Sequence, residues 1–194
     1  MGPGRSVTGG EGDLLVIGIG NVLLRDDGAG VRAAELAGRV QTGRPAAFPP
    51  GSRVVDGGTL GLELLPMVED ARAVVLIDAV DLHGQPGDVA VLRGDALHGT
   101  LYQHVSPHQV GVGDLLAAGR LTGRLPDQIA LIGIQPVDIS VGLDLTEAVQ
   151  AAVGRAAALA ESVAWELERA LHAGDVPAAT IADHDGDAPV AGAG

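Results

Sequence analysis

Leu14-Leu15-Val16-Ile17-Gly18-Ile19-Gly20 is an unbroken apolar run that stops at a glycine, and Asn21-Val22-Leu23-Leu24-Arg25-Asp26-Asp27-Gly28-Ala29-Gly30 follows it. Leu14–Ile19 is short and rich in β-branched residues, which reads as a buried strand. Gly28–Val40 then predicts a helix, with Val31, Ala34 and Leu36 as the inward positions. The same alternation continues along the chain. Arg53–Asp56 is a short strand before Gly57-Gly58, and Thr59–Ala71 is a helix with Leu62, Leu65 and Met67 on its apolar side. Ala73–Val80 is a strongly β-branched strand, and Asp88–Arg93 alternates as a strand does. Ser106-Pro107 supplies a cap and a first helical residue for a helix reaching about Gly119. Gln128–Gln135 is a strand. Thr146–Ala173 is a long helix whose apolar residues (Val149, Val153, Ala156, Ala157, Ala160, Val163, Ala164, Leu167 and Leu171) recur every three or four positions. Five strands interleaved with four helices predict one α/β domain with a mostly parallel sheet.

The domain is expected over residues 13–173. Residues 1–12 are Gly-rich and polar, residues 174–194 are mostly Ala, Gly, Asp and Pro, and both are expected to be flexible. The longest apolar runs are far shorter than the roughly 18–20 residues that span a bilayer. The N-terminus has no apolar signal core, so the default expectation is a cytoplasmic protein that does not enter a membrane.

Composition excludes several chemistries. The chain has 194 residues, 25 of them acidic and 12 basic, for a formal charge of −13. All the cations are Arg, there is no Lys or Cys, and the aromatics are only Phe48, Tyr102 and Trp165. Without Lys there is no Schiff-base chemistry and no Walker lysine. Without Cys there is no thiol nucleophile, zinc ribbon or iron–sulfur cluster. An acidic chain with so few aromatics is a poor nucleic-acid binder. No Gly-x-Ser-x-Gly elbow suggests a serine hydrolase. Catalysis is left to Asp, Glu, His, hydroxyls, backbone groups or a borrowed metal.

Ligands of an open α/β sheet bind beyond the carboxyl ends of its strands. After the first strand, the glycine pattern starts like a dinucleotide fingerprint, but the third glycine would fall on Leu23, and Asp26-Asp27 would repel a pyrophosphate. One of these two Asp residues could simply cap the helix. Asp78 closes the apolar run Ala73–Ile77, where a carboxylate is costly unless paired, hydrogen-bonded or metal-bound. His108, in Ser106-Pro107-His108-Gln109, would stand in the first turn of a helix, whose positive end favours the neutral, ligating ring. His83, His98 and His104 fall in irregular segments, and His172 and His184 fall at or in the tail. Two carboxylates and an imidazole on three loops would make an N/O site with open positions, suited to Zn, Ni, Fe or Mn alike.

At these residues the sequence resembles the hydrogenase maturation proteases, endopeptidases that process the large subunit of nickel–iron hydrogenases. The resemblance rests on Gly18–Val31, on Asp56-Gly57-Gly58-Thr59 leading to Glu63-Leu64-Leu65, on Ile77-Asp78-Ala79 and on Ser106-Pro107-His108-Gln109. It implies a twisted five-stranded sheet sandwiched between helices. It also implies a catalytic and metal-binding triad of Asp27, Asp78 and His108, with Asp26 the alternative to Asp27, and an Asp56-Gly57-Gly58-Thr59 turn beside the cleft. The implied activity removes a C-terminal extension from the large-subunit precursor, a transient partner, after nickel insertion. Nickel would arrive with the substrate as the recognition signal. Either a metal-activated water, a metal-polarised carbonyl or a carboxylate base could drive hydrolysis. A non-catalytic checkpoint for nickel loading and a metallo-hydrolase with its own metal are the competing readings. A monomer is the default expectation.

Overall fold

The computed structural model describes residues 14–39, 47–94, 96–97 and 111–173. The expected terminal extensions, and His108 with its neighbours in sequence, lie outside the described residues. The strands are β1 (Leu14–Ile19), β2 (Arg53–Gly58), β3 (Ala73–Ala79), β4 (Val89–Leu92) and β5 (Gln128–Ile134). They form one five-stranded sheet in the order β2-β1-β3-β5-β4. β1 pairs in parallel with β2 and β3, and β3 in parallel with β5; β4 runs antiparallel to β5 at one edge. The helices among the described residues are α1 (Ala29–Gly38), α2 (Leu65–Asp70), α3 (Val112–Thr122) and α4 (Glu147–Ala173). A single α/β domain with a mostly parallel sheet between helices is therefore what the sequence folds into.

The pleat sorts the core into two layers. Leu14 and Val16 of β1, Val75 and Ile77 of β3, and Ile132 and Ile134 of β5 lie under α1 and α4. Leu15, Ile17 and Ile19, with Val74, Leu76 and Leu131, lie under α2 and α3. The stripe expected on the long helix is buried from Val149 to Leu167, and Leu171 is half-buried at its end. Among the described residues, no helix is long and apolar enough to cross a membrane.

Three helix expectations change. In α1, Val31 and Ala34 are buried but Leu36 is exposed. Ala29, Gly30, Ala33, Ala34 and Ala37 form the inward stripe, and Leu36 stands off it. The Thr59–Ala71 segment is a 3-10 turn, Gly61–Leu64, followed by the short α2. Gly61 has a φ of +51°, which no regular helix continues, and Pro66, lacking an N–H, fits the first turn of α2. Leu64 and Val68 are therefore the large apolar side chains buried there, while Leu62 is exposed. Finally, α3 starts at Val112, with extended Gly111 as its N-cap, rather than at the expected Ser106-Pro107, and it runs past the expected Gly119 to Thr122, ending on the left-handed Gly123.

The small inward face lets α1 lie close on the sheet. A methyl at Gly30 would strike the carbonyl oxygens of both Ile19 and Ile77. A methyl at Gly18 would come within 2.6 Å of Ala34 Cβ. Gly30→Ala is therefore expected to destabilise the protein by more than about 3 kcal/mol, because backbone on both sides blocks relaxation. Urea unfolding checks this, and an unchanged midpoint contradicts the close approach.

Candidate active site

From β1 the chain leads through α1 to β2 on one side, whereas β3 is followed by β4 and β5 on the other. The carboxyl ends of β1 and β3 thus flank the point where the connections part, and this is where an open α/β sheet forms a crevice. Asp27 and Asp78 stand at this crevice. Asp27 belongs to the 3-10 turn Arg25–Gly28 between β1 and α1. Its Oδ2 accepts the Asn21 N–H at 2.8 Å. Asp78 is the penultimate residue of β3, and its Oδ1 accepts the Ala79 N–H at 2.8 Å.

Both carboxyls are half-buried, and both are held above their ordinary pKa of 3.8. Burial raises Asp27, partly offset by the Asn21 N–H. Burial also raises Asp78, with the charge of Asp27 adding to it against the Ala79 N–H, so that Asp78 is pushed up to about 8. Two desolvated carboxyls close enough to repel can share a cation, or one can hold a proton that it exchanges near neutral pH. Among the described residues they form a pair, since no group of three or more His, Asp or Glu side chains gathers to hold a metal. The third expected member, His108, lies outside the described residues.

Asp26 is occupied differently. It is fully buried, and its oxygens accept four hydrogen bonds from the segment after β5. Oδ2 takes the N–H groups of Val137 and Asp138, each at 3.0 Å, and the Thr146 hydroxyl at 2.9 Å. Oδ1 takes the Thr146 N–H at 2.7 Å. Burial would raise its pKa, but the bonds from Thr146, Asp138 and Val137 outweigh burial and hold it below 3.8. Neither Asp caps α1, whose N-cap is Gly28 without a side-chain bond. Asp26 is a staple between two loops, and Asp27 is the one at the crevice.

Asp56, Gly57 and Gly58, expected as a turn beside the cleft, instead continue β2, with Asp56 paired to Gly18 and Gly58 to Ile19 of β1. Asp56 Oδ1 accepts the Gly58 N–H at 2.9 Å, and the Gly20 N–H donates to the Gly58 carbonyl at 3.0 Å. Gly20 has a φ of +130°, and a methyl there would overlap the Asp27 carbonyl, so glycine alone fits the exit from β1. Away from the crevice, His83 pairs with Asp81 at 3.5 Å and His172 pairs with Glu168 at 3.7 Å. Sequence reasoning missed Thr146 and Gln135. Gln135 Oε1 accepts the Leu82 N–H at 2.7 Å and so steadies the chain leaving β3. The only sequence signal for these two was their place, at a strand end and at a helix start.

Comparison with known proteins bears on the family and the fold. Residues 42–163 match the family described as hydrogenase maturation protease, a span that leaves Asp27 outside. The chain is 40% identical to the hydrogenase expression/formation protein HupD of Rhodobacter capsulatus over 159 residues, covering 80% of this chain and 73% of that one. It is 34% identical to the hydrogenase 2 maturation protease of Escherichia coli over 166 residues, covering 82% and 98%. The solved structure of the hydrogenase maturating endopeptidase HybD from E. coli superposes with a TM-score of 0.63 at 30% identity, covering 87% of this chain and 96% of that one.

Asp26→Ala would leave three backbone N–H groups and a hydroxyl without their acceptor, so a loss of more than about 3 kcal/mol is expected. Because the folded pKa of Asp26 is depressed, its contribution is present above 3.8 and lost as the pH falls through the lower folded value. The stability gap between wild type and Asp26→Ala, followed by urea titration, should therefore close in acid. Asp78 has the opposite sign. Its raised pKa leaves stability intact below 3.8 and removes it progressively as the pH rises towards about 8. In chelator-treated protein, Asp78→Asn should match wild type in Tm near pH 4 and exceed it at pH 8. Superimposable melting curves at both pH values contradict the raised pKa.

Proposed function

The chain belongs to the hydrogenase maturation proteases, peptidases that process hydrogenase precursors, and from that premise we propose that it removes a C-terminal extension from the large-subunit precursor of a nickel–iron hydrogenase after nickel insertion. The observation that carries this reading is the convergence of Asp27 and Asp78 at the crevice between β1 and β3. Each is desolvated, and among the described residues no positive partner offsets the repulsion between them. Carboxylates with an imidazole suit a borderline cation such as nickel, and a chain without Cys avoids competing too strongly for it.

In this reading nickel belongs to the substrate. Asp27, Asp78 and His108 receive it, and docking fixes the scissile peptide against the crevice. The Asn21 N–H orients Asp27, and the Ala79 N–H orients Asp78. The carbonyl of Gly58, at the end of β2, accepts the Gly20 N–H at 3.0 Å and so ties β2 to the exit from β1 that leads to Asp27. With its pKa pushed up to about 8, Asp78 is largely protonated at neutral pH, so a cation that docks on its carboxylate displaces that proton to water. The partner is transient, the enzyme acts as a monomer, and the reaction takes place in the cytoplasm, where the large subunit would be loaded.

The test is mass spectrometry of a nickel-loaded precursor incubated with the protein, beside the same precursor without nickel. Loss of the extension from the loaded form only is expected. Asp27→Ala, Asp78→Ala and His108→Ala should each slow cleavage by at least about a hundredfold. Wild-type rates in all three would overturn the site. An unchanged precursor mass with tight binding would favour a non-cutting checkpoint. Activity lost to chelator while the substrate's nickel is intact would favour a metal of the enzyme's own.

A further inference from the structure

Six large apolar side chains stand in solvent beside the crevice: Val22 and Leu23 from the loop after β1, and Val137, Ile139, Val141 and Leu143 from the segment between β5 and α4. Apart from Val22, at 38%, they are between 56% and 84% exposed. Scattered apolar residues on a surface are ordinary, but six on two adjoining loops are a patch. Leu24 and Gly142 form a parallel bridge. The Gly142 N–H donates to the Leu23 carbonyl, and the Arg25 N–H to the Gly142 carbonyl, both at 2.9 Å. The Arg32 guanidinium donates to the Leu143 carbonyl at 3.3 Å. Asp26 fastens Val137 and Asp138 from beneath. These tethers fix both loops with the apolar side chains outward, so the patch is a built surface.

We infer that this rim is the docking surface for the folded body of the hydrogenase precursor, gripping an apolar area beside the extension while the extension enters the crevice; the inference rests on the processing function proposed above. Continuity argues for that occupant. Asn21, which holds Asp27, precedes Val22, and Asp26, next to Asp27, holds Val137. A protein whose peptide bond lies at Asp27 therefore covers the rim. A second copy of this chain is disfavoured, because each copy carries a charge of −13. A pre-ordered rim also suits an already folded surface, since a short free peptide would lose more conformational freedom on binding. Contacts remote from the cut supply the affinity that selects one protein among many.

The experiment compares wild type with the double variant Ile139→Ser/Val141→Ser, and with Leu121→Ser, a change at a 91% exposed leucine on α3, as control. With nickel-loaded precursor, the double variant should raise KM at least about tenfold and leave kcat at saturation within about twofold. Tm should be unchanged, and the control should behave as wild type. An unchanged KM overturns the inference. So does equal weakening toward a synthetic peptide of the extension alone, which would make the extension the occupant. A wild-type dimer in sedimentation that the double variant abolishes also overturns it, in favour of a second copy. If wild type leaves the precursor intact, the processing reading fails by itself, and the Kd for intact precursor then reads the rim directly. A Kd weakened about tenfold by the double variant sustains the docking surface, and an equal Kd overturns it.

Discussion

At Gly30, helix α1 meets the ends of β1 and β3 so closely that the Ile19 and Ile77 carbonyls leave no room for a methyl group. That contact sets the height of the helix above the sheet and the position of the turn Arg25–Gly28 that precedes it. Asp27 reaches the end of β3 because the turn is held down in this way. A bulkier inward face on α1 would lift the turn and separate the two carboxyls. The run of Ala and Gly in the helix is thus part of the site's construction, although none of those residues has any chemistry of its own.

The crevice works against the stability of the fold. A carboxyl such as Asp78, held near the end of an apolar strand and facing a like charge, is a local defect in an otherwise well-satisfied core. Nearby groups show the contrast. Asp26 is more deeply buried yet fully hydrogen-bonded, and Glu69 is buried with the Thr122 hydroxyl and Arg124 as partners. Among the described residues the buried acids Asp26 and Glu69 are satisfied while Asp27 and Asp78 repel one another, a perturbation of the kind that gathers at functional sites.

Much of this was legible in the chain. The five strands read directly, because β-branched runs such as Ala73–Ile77 bounded by polar or glycine residues fit little else. Asp78 could be read from its setting, as a charge at the end of such a run. Asp27 was preferred to Asp26 on the resemblance alone, because what separates them physically lies in contacts with Val137, Asp138 and Thr146, more than a hundred positions away. Leu36 misled for a related reason. A large apolar residue draws attention on a helix, but the sheet accepted the small face, and tertiary packing overrode hydrophobicity. The break at Gly61 was written in the sequence as a glycine, but its positive φ follows from the surrounding turn.

The staple at Asp26 also bears on the order of assembly. Its Thr146 partner comes 120 residues later, so this is a contact of very high sequence separation. During synthesis the turn carrying Asp27 emerges first, then β3, and the acceptors' donors only with the segment leading into α4. Until then Asp26 has no partners for its oxygens, and burying it beneath α1 is unfavourable. Completion of the crevice is thereby coupled to delivery of the chain through the start of α4. For a peptidase this is a form of timing: an unfinished polypeptide carries the acids of the site along its length without yet holding them in place.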